Sequence, residues 1–240
     1  MATTALDKQA ERYLPYLVEI RKRLLFVVSI FLVASALGFI YYERIIKIVL
    51  KLFNFEGVNI VFTSPFQFIN LAINSGLIVG LLIVFPLVIV QLLLFLKPAL
   101  KKSEYKLLIS LLPLSIGLFT IGFLFGIFVM RYVISIFFER SQSFEIGNFL
   151  DISLLLSQTL LTGVLMGVAF QFPIVLTVLV RLKVITQQTL KKQRVIAYAA
   201  AVVFAALLPP TDLLSLALLT VPLVILFEFT LLLNRALSRP

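Results

Sequence analysis

The chain has 240 residues, 61% of them hydrophobic and 13% charged, a formal net charge of +10, and neither cysteine nor histidine. Soluble domains are ~45–50% apolar and ~25% charged, so this composition excludes a water-soluble globule: a sphere of this size cannot bury so much apolar side chain, and its solvent has to be lipid. Without Cys or His there are no disulfides, thiolate chemistry, zinc sites or imidazole bases, and the basic residues lack the interleaved aromatics that stack bases, so no nucleic-acid partner is expected.

The polar N-terminal segment shows no cleavable targeting signal and leads straight into an apolar run. That argues against an imported organellar precursor. A helix needs ~20 apolar residues to cross a ~30 Å hydrocarbon core. The first predicted span is 24–42. A loop over 43–70, with Gly57, Pro65 and several Phe, is expected to pack as short helices at the interface. The second span, 71–96, is interrupted by Pro86. The third, 107–138, is overlong, with Pro113 near its start and Arg131 near its end. The fourth, 152–180, contains Gln171 and Pro173. The fifth, 196–208, has 13 residues, about 20 Å at ~1.5 Å per residue, and Pro209-Pro210 ends it. The sixth, 213–233, is short as well, because Glu228 cuts its apolar stretch to 213–227. Backbone groups in lipid must be satisfied within the protein, so these spans are helices. The alternating ~10-residue pattern of a β-barrel is absent. With no internal repeat, residues 1–240 read as a single all-α integral membrane domain.

Orientation follows from the basic residues. The N-terminal segment, the second-to-third loop, the fourth-to-fifth loop and the C-terminus together hold 16 of the 21 Lys and Arg. Six spans place all of these on one side, which predicts an N-in, C-in polytopic protein. The opposite side holds Arg44, Lys47, Lys51, Arg131 and Arg140. Orientation accounts for the positive charge without an anionic ligand.

Ionisable groups inside a span cost ~2.5–3.5 kcal/mol on insertion scales and suggest function by default. Glu228 in the last span either snorkels to the interface or serves such a role. Gln171 in the fourth either makes an interhelical hydrogen bond or does more. Asp212 suits the N-terminus of the sixth helix as a cap. Two carboxylates stand among cytoplasmic cations: Glu19 in LVEIRKRL and Glu104 in KPALKKSEYK. Glu19 and Arg23 are spaced i,i+4, which allows a local ion pair. Alternatively, Glu19 and Glu104 bind a cationic ligand, since carboxylates match guanidinium groups in forked geometry. Gly122-x-x-x-Gly126 and Gly163-x-x-x-Gly167 permit close helix approach. The chain has no GxSxG elbow, Walker loop or HExxH motif, so neither enzyme activity, a metal nor a cofactor is expected.

Several segments resemble one family in order along the chain. Tyr16-Leu-Val-Glu-Ile-Arg-Lys-Arg-Leu is similar to the N-terminal HLxELRxRL signature of TatC, the core subunit of the twin-arginine protein translocase. Ser64-Pro-Phe-Gln-Phe resembles its outer-loop segment. Phe95-Leu-Lys-Pro-Ala-Leu with Glu104 resembles its FxxPgLyxxEr loop. Gly167-Val-Ala-Phe-Gln-Phe-Pro resembles its GxxFqxP. Leu208-Pro-Pro-Thr-Asp212, with Pro222 and Phe227-Glu228, resembles its TPxxD…P…yE stretch. The resemblance implies a glove-like curved bundle of six helices with short last spans. It implies binding of signal peptides bearing two consecutive arginines, and movement of folded proteins powered by the proton-motive force. By motif position, Glu19, Arg21, Arg23 and Glu104 would bind the signal peptide. Gln171, Asp212 and Glu228 would be concave-face or partner-docking polar residues, and Pro86, Pro98, Pro173, Pro209 and Pro222 would shape the helices. Implied partners are single-span TatA-like and TatB-like proteins, signal peptides of folded cargo, the bilayer and further copies of the chain in a receptor complex. The implied location is a bacterial cytoplasmic membrane, with a thylakoid membrane as the alternative. The sequence departs from the family at Tyr16 (His in the signature), Tyr105 (commonly Arg), Gln171 (often Glu) and Leu216 (often Gln).

Two other readings compete. A small-molecule secondary transporter predicts inverted repeats and broken helices with midplane charges; no repeat and almost no midplane charge is found. An assembly subunit without substrate recognition would have no use for paired cytoplasmic carboxylates.

Overall fold

The computed structural model describes residues 2–53, 59–61, 64, 66–97, 101–143 and 149–237. Pro98 and the side chain of Glu104 lie outside the described residues, as do 54–58 of the first outer loop. The chain begins with α1 (Ala2–Ile40), turns at Tyr41 into α2 (Tyr42–Phe53), and passes through β1 (Asn59–Val61) into α3 (Gln67–Leu96). Next come α4 (Lys102–Ser110), α5 (Leu112–Ser143), β2 (Phe149–Asp151), α6 (Ile152–Ala169) and α7 (Phe172–Arg181). The chain closes with α8 (Gln187–Lys192), α9 (Arg194–Ala206) and α10 (Leu213–Leu237).

Among the described residues, five helical stretches are long and apolar enough to cross a bilayer: Tyr16–Ile40, Gln67–Phe95, Leu112–Arg140, Ser153–Arg181 and Leu213–Arg235. α9 has 13 residues, about 20 Å of helix. The exposed surface is itself apolar: Leu32, Val33, Leu124 and Ile225 are all more than half exposed. That is the pattern of a protein whose solvent is hydrocarbon.

Three expectations need correction. Pro86 does not interrupt the second span, because α3 runs through it to Leu96; neighbouring helices make such prolines tolerable in lipid. The third span is divided, with a turn at Leu111 separating α4 from α5. The sixth helix is not short. α10 has 25 residues and contains both Pro222 and Glu228, whose carboxylate is bonded by Arg194 and Tyr198. The fold is all-α as expected, with one short ladder that the sequence did not show. β1 and β2 pair in parallel, Asn59 with Phe149 and Val61 with Asp151. Each strand precedes a helix running back across the bundle, so the two connections travel the same way and their backbone groups satisfy each other.

α1 lies along α3, α5 along α6, and α3 also meets α6; α10 packs on α7, α9 and α5. Met166, Leu208 and Leu219 centre one packed cluster, and Leu71, Leu156 and Val49 belong to another. The anticipated small-residue pairs face each other. A Cβ on Gly126 would stand 2.8 Å from the Cα of Gly163 and 2.8 Å from the carbonyl of Thr162. The α1–α3 crossing uses the same device, unremarked in the sequence: a Cβ on Gly76 would stand 2.7 Å from the carbonyl of Ser35.

Backbone cannot yield as a flexible side chain can. Gly126→Ala is therefore expected to destabilise by about 1–3 kcal/mol, the usual range for overpacking. Gly117→Ala, with nothing within 4 Å, should be neutral or slightly stabilising. Thermal unfolding of the two variants in detergent checks this.

Candidate functional site

Glu19 sits on the face of α1 that packs on α3. Arg23 donates to Glu19 Oε1 from Nε at 3.1 Å and Nη2 at 2.6 Å. Its third nitrogen, Nη1, donates to Gln91 Oε1 at 2.8 Å and to the Gln91 carbonyl at 3.4 Å. Helical spacing puts Glu19 and Arg23 on one face, and Gln91 reaches them from the last turns of α3. The guanidinium thus ties two helices together while holding the carboxylate by one oxygen. Among the described residues the second oxygen of Glu19 has no hydrogen-bond partner. Glu19 is partly buried and Arg21 is exposed. α4 carries Glu104 directly after α3, and the ammonium of Lys97 lies 5.4 Å from the centre of the Tyr105 ring, a cation–π contact bridging the two helices.

A second polar site marks the break in the fourth span. Pro173 lies in the first turn of α7, where its missing N–H costs nothing. Gln171 ends the preceding turn and is 3% exposed. Its Oε1 accepts from Ser115 Oγ at 2.5 Å, and its Nε2 donates to the Ser115 carbonyl at 2.9 Å. The amide therefore joins α5 to the α6–α7 break. Among the described residues, Gln171 is also the one polar side chain bordering a cavity of about 520 Å³ lined by Phe85, Val88, Phe172, Phe204 and Phe227 among others.

The remaining predicted residues act at the ends of α9 and α10. Asp212 caps α10, accepting from Ser215 N at 2.8 Å and from Ser215 Oγ at 2.5 Å. Thr162 of α6 donates to the carbonyl of Pro209 at 2.5 Å, fastening the turn before that cap. Glu228 accepts from Arg194 at 2.9 Å and from the Tyr198 hydroxyl at 2.6 Å, holding α9 against α10. Asp212 and Glu228 are sixteen residues apart, about 24 Å of helix. They do not form one cluster with Gln171. Each is a separate joint.

This arrangement has known counterparts. Residues 15–222 match the family profile described as Sec-independent protein translocase protein (TatC). The chain belongs to the TatC family. It is a multi-pass membrane subunit of the twin-arginine translocase, a receptor-type component and not an enzyme. It is 32% identical over 237 residues to Sec-independent protein translocase protein TatCy of Bacillus subtilis, covering 94% of this chain and 89% of that protein. It is 29% identical over 231 residues to TatC of Aquifex aeolicus, covering 93% and 95%. A crystal structure of the twin-arginine translocase receptor TatC superposes with a TM-score of 0.80 at 30% identity, covering 93% of this chain and 100% of that one.

Within this TatC fold, reading the residues alone missed Gln91, Ser115, Tyr198 and Asn234. Gln91 left a signal, a lone amide in the apolar run before the basic loop. Asn234 left a similar one near the end of α10, where its Nδ2 donates to Thr177 of α7 at 3.1 Å. Ser115 left none, since serine is common in helices that cross lipid.

The cap at Asp212 has a measurable consequence. Asp212→Ala is expected to destabilise by about 0.5–2 kcal/mol. Asp212→Asn should keep most of that stability, because its amide oxygen still accepts from Ser215 N. Thermal unfolding of the three chains in one detergent distinguishes them.

Proposed function

We propose that this chain is the signal-peptide receptor and core of a twin-arginine translocase, moving folded proteins across the membrane with the proton-motive force. In this reading α9 is the short fifth of six spans, α10 is the sixth, residues 1–240 form one integral membrane unit, and both termini are cytoplasmic. The membrane is a bacterial cytoplasmic membrane, and the partners are TatA-like and TatB-like single-span proteins together with further copies of the chain.

The observation that carries the reading is the Glu19–Arg23–Gln91 contact. A carboxylate with one oxygen held from the side keeps its other oxygen for an incoming guanidinium, and its position is fixed by two helices. Glu104, on the helix after α3, supplies the second carboxylate for a second arginine. Two separate acids reading adjacent arginines explain why the signal carries a pair. The relatives named as twin-arginine translocase components and the ordered motifs support the same reading.

The test is binding of a fluorescent twin-arginine signal peptide to the purified chain in detergent. Glu19→Ala and Glu104→Ala should each weaken binding about tenfold or more, since losing one partner of a charged hydrogen bond costs roughly 1.5–3 kcal/mol. Unchanged affinity in both variants would remove the recognition role.

Orientation is tested separately, and the absence of native cysteine makes the labels unique. In intact cells, Lys51→Cys should react with an impermeant maleimide while Lys191→Cys reacts only after lysis. The opposite pattern would invert the topology.

A further inference from the structure

α2 is short, amphipathic and basic, and the receptor function makes no use of it. Arg44, Lys47 and Lys51 recur at spacings of three and four, so they form one stripe along the helix. All three are exposed, and Ile48, 61% exposed, stands among them. The opposite face is apolar and packed: Val49 is buried, with Ile45, Ile46 and Leu50 against the same cluster as Leu71 and Leu156. Leu71 and Leu156 lie in the first turns of α3 and α6. The axis of α2 therefore lies at the depth where the spans begin, not above it.

Neighbouring rings fix that level. Tyr42 packs edge-on to Phe68 at 5.2 Å, and the guanidinium of Arg44 lies 5.4 Å from the centre of the Tyr41 ring. Tyr41 and Phe66 are more than half exposed beside them, as aromatic residues are at a membrane–water boundary. Glu43 is the one acid on this helix; it lies in its first turn and meets the Tyr42 hydroxyl at 3.4 Å. A row of cations with an apolar side chain among them, at headgroup depth, is complementary to anionic phosphate esters with acyl chains beneath.

We infer that the Arg44–Lys47–Lys51 stripe of α2 is a binding surface for anionic phospholipid headgroups in the leaflet opposite the signal-peptide site. The stripe concentrates such lipids around the outer end of α1 and α3, and Ile48 enters the acyl boundary between them. Surface lysines and arginines attract anionic lipid through a field that salt screens within about 10 Å at 0.1 M, so the effect is local and salt-sensitive. It goes beyond signal recognition and does not depend on it.

The test uses the full chain with a single fluorophore at Ile48→Cys, in nanodiscs of phosphatidylcholine with a minority of phosphatidylglycerol. One lipid at a time carries brominated, quenching acyl chains. At equal mole fraction, brominated phosphatidylglycerol should quench about two- to fivefold more than brominated phosphatidylcholine, the enrichment expected of roughly one surface cation per lipid. Arg44→Gln, Lys47→Gln and Lys51→Gln together should bring the ratio to about one, while a label at Val184→Cys reads the same in both chains. Raising salt to about 1 M should abolish the preference in the unmodified stripe, a readout that does not require the triple variant to fold. Equal quenching by the two lipids with the stripe intact would overturn the inference, as it would if an acidic protein segment or a second copy covered this face. A preference that survives the triple substitution or high salt would overturn it too.

Discussion

In hydrocarbon every polar group has to find its partner within the protein, and that constraint organises this fold. Backbone groups are satisfied by helices, but helices end, break and cross. At several such places a side chain supplies the missing partner. Gln171 bonds Ser115 where the fourth span breaks. Thr162 takes the Pro209 carbonyl where α9 ends. Asp212 caps α10, and Asp151 caps α6 while accepting from Gln67 of α3 at 2.5 Å. The few polar residues of an apolar chain are thus mostly joints. Between the joints, glycine lets backbones approach until they touch, because lipid offers no hydrophobic drive to press helices together.

The same constraint decides which polar residues remain for function. Arg23 serves as a joint between α1 and α3, yet it meets Glu19 through one oxygen only. Glu19 is therefore positioned without being consumed, which is what the proposed recognition of an arginine requires. Glu228 differs: Arg194 and the Tyr198 hydroxyl each take one of its oxygens. Its role is to hold the short α9, which has too few residues to be anchored by packing across a full bilayer. In this fold the long helices α1 and α3 are braced by Arg23, and the short α9 is secured by the Arg194–Glu228 ion pair.

Much of this was legible in the residues. Composition gave the solvent, apolar runs gave the five long apolar helices, and the motif order gave the family. What escaped notice depends on pairing across distance. A carboxylate in an apolar run reads as a stop; only the fold shows Tyr198 and Arg194 approaching Glu228 and the helix continuing to Leu237. Pro86 reads as an interruption because its neighbours are invisible to the sequence. The β1–β2 pair joins segments ninety residues apart whose three-residue strands are too brief to show alternation. Gln91 was legible as an isolated amide but not as the residue that holds Arg23. Local chemistry was readable, as in the Asp212 cap; a bond to a second helix was foreseen for Gln171, but its partner Ser115 was not.

The central claim is that Glu19 contacts an arginine of the signal directly, and a double-mutant cycle tests it. Affinity is measured for a twin-arginine peptide and for peptides with either arginine replaced by lysine, each against the unmodified chain and Glu19→Ala. An ammonium cannot make the forked bond of a guanidinium, so one of the two replacements should weaken binding strongly in the unmodified chain. In Glu19→Ala that same replacement should cost almost nothing. Equal losses in both chains, for both positions, would contradict the claim, because they would place the arginines away from Glu19.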